Sequence, residues 1–229
     1  VTGEEIEVLA LSLKTSLVAL VLLAPVAVPV GWLLARRKGG PARLLEALVT
    51  LPLVLPPVVT GYLLLLLFSH RGPLGGALAA VGVEFVLNWK GAALAAAVAA
   101  FPFMVLAVRV GIEGVEPGLE DAARTLGAGR LRVFFTVTLP LARGGVVAGA
   151  LVAFARAFGE FGATLMVAGN IPGSTRTVPL AIYSHILSGR DERAFRLVLV
   201  AVAVALVTAW LGGILLHRER RRREAEAGA

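Results

Sequence analysis

The 229-residue chain has no cysteine and no glutamine, only two asparagines, Asn88 and Asn170, and only three lysines against nineteen arginines. Without cysteine, neither a disulfide nor a thiolate metal site is available. The shortage of amides and lysine matches a hot habitat, and a GC-rich genome produces the same bias. Charge of either sign is scarce as well. Asp, Glu, Lys and Arg make up 16% of the residues, where a soluble domain carries about a quarter. What fills the space is apolar, at 58% of positions. Several apolar runs exceed the roughly 20 residues needed to cross about 30 Å of hydrocarbon. The bilayer is therefore the main solvent, and the expected fold class is all-α: a polytopic membrane protein.

Runs of that length predict five transmembrane helices, at residues 8–35, 44–68, 91–112, 144–168 and 194–216. A sixth apolar patch, 178–187, is about half as long as a span and reads as a short interfacial or partly inserted helix. The start is acidic, with Glu4, Glu5 and Glu7, and the first basic cluster follows the first span. A secretory leader has the opposite order, so this span is expected to be an uncleaved anchor.

Positive charge sets the orientation. Arg36, Arg37, Lys38 and Arg43 follow span one, Arg124, Arg130, Arg132 and Arg143 lie between spans three and four, and Arg218 with Arg220 to Arg223 forms a tail at 217–229. Five spans put these three segments on one side, which the positive-inside rule assigns to the cytoplasm, leaving the N-terminus outside. The tail is expected to contact anionic lipid head groups. These clusters sit at span ends, and no nucleic-acid partner is expected.

The largest loop on that side, 109–143, is unusual for so apolar a chain. Acids load its first half, at Glu113, Glu116, Glu120 and Asp121, and arginines its second, an order the helix macrodipole favours. Pro117 opens a short helix that Gly127 and Gly129 end, a second apolar piece follows from Leu131 to Val137, and Leu139-Pro140 marks re-entry into the membrane. Ala122, Ala123 and Gly127 allow close backbone approach, while Leu126, Phe134 and Phe135 supply anchors for a partner's groove. An ordinary solvated loop helix has the same spacing.

The run Asp121-Ala122-Ala123, three residues, Gly127, nine residues, Val137, one residue, Leu139-Pro140 resembles the EAA signature of type I ABC importer permeases, with Asp for Glu and Val for Ile. The stretches LPLVLPPVVTGYLLL, EGVEPGLEDAARTLGAGRLRVFFTVTLPL and AFARAFGEFGATLMVAGNIPGSTRTVP are similar to the permease subunits of bacterial molybdate importers, and sulfate and tungstate permeases resemble the chain too. The resemblance implies the type I importer permease fold over 8–216 and a coupling helix that docks into a separate ABC ATPase subunit. Glu120, Asp121, Ala122, Ala123, Leu126, Gly127, Leu139 and Pro140 would carry that docking. It also implies an extracytoplasmic oxyanion-binding protein, a second copy of the chain as partner, and residence in a bacterial or archaeal cytoplasmic membrane. No G-x-x-x-x-G-K-[ST] occurs, so ATP hydrolysis is expected in the partner, and no cofactor is expected here.

Candidate pathway residues come from breaks and buried charge. Pro56, Pro57, Thr60 and Gly61 mark a broken second span whose freed carbonyls must face protein or water. Arg156 and Glu160, four residues apart, are expected on one helical face, as a gate or as a structural bridge. Histidines 70, 185 and 217 sit at separate span ends, far from metal-ligand spacing, and read as interfacial. Two other classes fit the sequence less well. An intramembrane enzyme lacks G-x-S-x-G, H-E-x-x-H or a carboxylate pair within a span, and an ion-coupled carrier usually shows internal repeats, into which five spans do not divide.

Overall fold

A computed structural model describes residues 2–227, with side chains through residue 214. The side chains of the basic tail, Arg218 and Arg220 to Arg223, and of His217 lie outside the described residues. Twelve α-helices and one π-helical turn make up the described chain, with no strand among the described residues. Three helices are long and apolar enough to span a membrane: α1 (Gly3–Arg36), α5 (Trp89–Glu113) and α12 (Asp191–Ala227). Two further spans are bent pairs, giving up to five.

The second expected span is two helices, α2 (Gly40–Val54) and α3 (Pro57–Phe68), turned by 112°. Pro52 is accommodated inside α2, and the break falls at Leu55-Pro56. Consecutive prolines explain it: neither Pro56 nor Pro57 has an N–H for the ladder, and each disfavours helical backbone in the residue before it. A short α4 (Gly75–Ala79) follows. After α5 the loop forms α6 (Pro117–Thr125), α7 (Arg130–Val133), the π-turn Phe134–Thr138 and α8 (Leu139–Leu141), which meets α9 (Arg143–Phe158) at 72°.

The fourth span departs from expectation. Residues 144–168 are not one helix: α9 ends at Phe158, Gly159 to Phe161 interrupt, and α10 runs Gly162–Ala168. Gly159 and Gly162, with the Glu160 carboxylate between them, mark where the helix stops. The short apolar patch is α11, Val178–Leu187, as expected.

The bundle is organised around α5, 67% of whose apolar window is buried, against 28% for α1 and 11% for α12. It packs on α1 along one side and α9 along the other. Lipid offers no hydrophobic drive for helices to associate, so close packing of small residues has to hold them. The sequence supplies this: Ala92, Ala93, Ala95, Ala96, Ala97, Ala99 and Ala100 are all buried. Where α5 crosses α9, a Cβ built on Gly145 would stand 2.5 Å from the Gly111 Cα. Gly145→Val is therefore expected to separate the two helices and lower the melting temperature of the detergent-solubilised protein, checked by fluorescence-detected size exclusion after heating. An unchanged melting temperature would show that this crossing does not hold the bundle.

Polar ties fix which ends lie together. At one end of the bundle the Ser12 hydroxyl accepts from the Val178 amide at 2.7 Å, Glu5 pairs with Arg196 at 3.1 Å, and Glu4 lies 3.5 Å from both Arg176 and Arg193. At the other end Arg109 of α5 bridges Glu46 of α2 at 2.7 Å and Glu113 at 2.8 Å. The loop α6–α8 sits at this second end, joined to the end of α1.

Candidate functional site

The loop is held by one carboxylate. Glu120 Oε1 accepts from Arg36 Nη2 at 2.9 Å, from Arg36 Nε at 3.2 Å and from Thr138 Oγ1 at 2.7 Å, and Oε2 faces Arg124 Nη2 at 3.3 Å. Arg36 Nη2 also donates to the Val115 carbonyl at 3.2 Å. One side chain, 3% exposed, thus ties α1, the start of the loop and the π-turn to α6. Its burial pushes the carboxyl's pKa up, but the Thr138 hydroxyl and the Arg36 guanidinium outweigh it and hold the group below its ordinary value. Glu120 belongs to the internal clamp, while the neighbouring Asp121 and Ala122 face out.

The outward surface of the loop is apolar at its tips. Leu126 is 89% exposed, and Leu119, Leu131 and Phe135 are exposed beside it. Ala123 is half-buried, Leu139 half-buried and Pro140 exposed. Phe134 corrects the expectation of an outward anchor: it is buried, with its ring centroid 5.0 Å from that of Trp32 on α1. Gly127 corrects a reason, since nothing lies within 4 Å of its missing Cβ. Its backbone φ of +86° is what requires glycine, and the turn it makes lets the Gly127 and Ala128 amides close α6 on the Arg124 and Ala123 carbonyls.

The two groups of candidate pathway residues meet. Glu160 Oε2 pairs with Arg156 Nη1 at 2.7 Å, and Oε1 accepts from the Ala163 amide at 2.8 Å. The pair exists, but not on one helical face: Arg156 belongs to α9, while Glu160 stands in the interruption and caps α10. Against that same first turn lies α3, where a Cβ on Gly61 would come 2.7 Å from the Ala163 Cα. Beside Gly61, the Thr60 hydroxyl is buried with no hydrogen-bond partner. The break at Pro56-Pro57 and the break at Glu160 are therefore packed on each other.

The partners of these residues are not visible in the sequence. Arg36 and Thr138 are 84 and 18 positions from Glu120, and only the placement of Arg36 at a span end hinted at a role. His185 also departs from expectation, being buried within α11 with Nδ1 unpartnered rather than interfacial. Its burial lowers its pKa below the ordinary value, with nearby Glu4 opposing. No cluster of three or more metal-ligating side chains occurs among the described residues.

An apolar helical bundle with two broken spans and an apolar-tipped loop at one end has the form of a polytopic membrane component. Residues 27–222 match the family of binding-protein-dependent transport system inner membrane components, and the chain belongs to that family. It is a multi-pass inner-membrane component with no catalytic reaction of its own. The molybdenum transport system permease protein of Escherichia coli K12 is 48% identical over 96% of this chain and 99% of that one. Its Haemophilus influenzae counterpart is 44% identical over 95% and 96%. A sulfate transport system permease protein of Synechocystis is 36% identical over 82% and 68%.

Solved structures show the same fold. A bacterial ABC transporter that imports the polysaccharide alginate matches with a TM-score of 0.72 at 17% identity, over 96% of this chain and 80% of that one. The alginate transporter has also been solved in complex with its alginate-bound periplasmic protein, with a TM-score of 0.71 at 18% identity over the same shares. An inward-facing methionine ABC transporter matches at 0.65 and 19% identity, over 98% and 99%.

Proposed function

We propose that this chain is the permease subunit of an ATP-driven oxyanion importer whose cargo is molybdate. The observation that carries the coupling is the Glu120 clamp: it holds α6 rigidly on the end of α1 while Leu126 and Phe135 point away from the bundle. Rigid placement of an apolar-tipped helix is what a separate ATPase needs in order to transmit a stroke to the spans. The near-full-length identity to molybdenum permeases supports the cargo. In this reading residues 8–216 form the transmembrane unit, 109–143 the coupling loop and 217–229 a cytoplasmic tail. Asp121, Ala122, Ala123, Leu126 and Gly127 face the ATPase, with Glu120, Leu139 and Pro140 setting their position.

Two copies enclose the pathway, lined near the joined breaks by Pro56, Pro57, Thr60, Gly61, Arg156 and Glu160. An extracytoplasmic binding protein delivers the anion to the end that holds Glu4 and Arg176. The test is uptake of labelled molybdate into proteoliposomes carrying this chain with an ABC ATPase subunit and an extracytoplasmic molybdate-binding protein. Uptake should require ATP and the loaded binding protein. Uptake driven by an ion gradient without ATP would remove the importer reading, and preferential uptake of sulfate would reassign the cargo.

The orientation is tested separately. Reporter fusions after Gly39 and Gly114 should read cytoplasmic and a fusion after Gly82 periplasmic. The reverse pattern would place the loop α6–α8 where no ATPase can reach it.

A further inference from the structure

Between the end of α1 and the loop lies a cavity of about 490 Å³, one wall of which is the clamp itself. Four arginines line it, Arg36, Arg37, Arg124 and Arg130, against two acids, Glu120 and Asp121. Both acids are committed: Glu120 to Arg36 and Arg124, and Asp121 to Arg124 at 2.7 Å. Among the described residues Arg37 and Arg130 have no ion pair or hydrogen bond from their side chains, so the cavity has a net positive charge with two guanidinium groups to spare.

The depth of this cavity identifies what reaches it. Its wall includes Trp32 and Leu33, the last turn of the apolar α1 before the basic cluster begins. An indole followed by arginines at a span end marks the head-group level, and long arginine stems reach from there to lipid phosphates. Guanidinium groups bind a tetrahedral oxyanion by paired N–H donors, which a phosphodiester accepts well. We propose that this cavity is a binding site for the phosphate of an anionic phospholipid, held between Arg37 on α1 and Arg130 at the start of α7. The bound head group is a second strap across the junction that Glu120 closes, and it makes the position of the coupling loop sensitive to the charge of the surrounding leaflet. The proposal rests on the span assignment and not on the identity of the cargo.

A free oxyanion from the aqueous side shares the same chemistry, so the test separates the two sources. The full-length chain, purified in a neutral detergent, is titrated with short-chain phosphatidylglycerol, with short-chain phosphatidylcholine, with inorganic phosphate and with molybdate, and occupancy is read by native mass spectrometry. Saturable binding of phosphatidylglycerol, weaker by roughly tenfold or more in Arg37→Gln/Arg130→Gln, is expected. Arg43→Gln/Arg132→Gln removes the same charge outside the cavity and should leave binding unchanged. Both cavity arginines are exposed, so the fold should survive, and Arg37→Lys/Arg130→Lys should recover part of the affinity. Equal loss in the two Gln pairs would reduce the effect to diffuse surface charge and overturn the site. Equal binding of phosphatidylcholine, or Arg37- and Arg130-dependent binding of phosphate or molybdate in place of phosphatidylglycerol, would overturn the lipid assignment.

Discussion

Glu120→Ala is expected to abolish the stimulation of ATP hydrolysis by loaded binding protein while leaving the spans inserted. The substitution strands Arg36 and Thr138, both of which lose their carboxylate partner, and frees α6 from the end of α1. Hydrogen bonds to a charged group contribute about 1.5–3 kcal/mol each, and Arg36 keeps partial access to water, so the local cost should be about 2–3 kcal/mol. That is enough to loosen a loop that lies outside the membrane-spanning helices. Glu120→Gln should be intermediate, since an amide oxygen still accepts from Thr138 but carries no charge for Arg36. The reconstituted complex gives the readout: basal and stimulated hydrolysis beside molybdate uptake. Full stimulation in Glu120→Ala would show that the clamp does not position the coupling helix.

The sign of the pH response follows from the same carboxylate. Its pKa in the folded protein lies below the ordinary value, so its contribution is complete above the unfolded-state pKa and is lost as pH falls through the folded one. Coupling should therefore fade on acidification to below the usual carboxylate range, and Glu120→Gln should remove that part of the pH dependence.

The second large effect is expected at Glu160. Its side chain is 1% exposed and serves Arg156 and the Ala163 amide together. Glu160→Ala removes the charge partner and the cap; breaking a buried pair costs about 3–5 kcal/mol and losing a cap about 1 kcal/mol. Poor assembly and no uptake are the expected result. Arg156→Leu/Glu160→Gln is the informative variant, because glutamine can keep the cap while neither charge remains. It should assemble nearly as well as the parent and yet fail to transport. Normal uptake in that double variant would make the pair a structural bridge only.

Much of the fold was legible because the bilayer allows so few solutions. Runs of apolar residues had to be helices, and Pro56-Pro57 had to break one of them. The interruption at Gly159–Phe161 was not legible, since a carboxylate four residues after an arginine reads identically as a helical pair and as a cap beyond a helix end. Phe134 and Phe135 illustrate the other limit. Adjacent phenylalanines in a short helix must face different ways, and which one turns inward depended on Trp32, about a hundred positions earlier, which no local pattern contains. The signature in the loop marked the segment proposed to couple, but the arrangement within it, Glu120 inward and Leu126 outward, is a tertiary fact.

The alanines of α5 carry a thermal consequence. An alanine side chain has no rotamers to lose, so enclosing seven of them freezes almost no torsional freedom. The attraction holding α5 to α1 and α9 is then dispersion between closely spaced backbones, opposed by little entropy, and it should weaken only slowly on heating. Larger side chains in the same positions would gain more contact in the cold and lose order sooner. The centre of this bundle should therefore stay packed at temperatures where its periphery of larger apolar side chains, on α3 and α12, is already mobile.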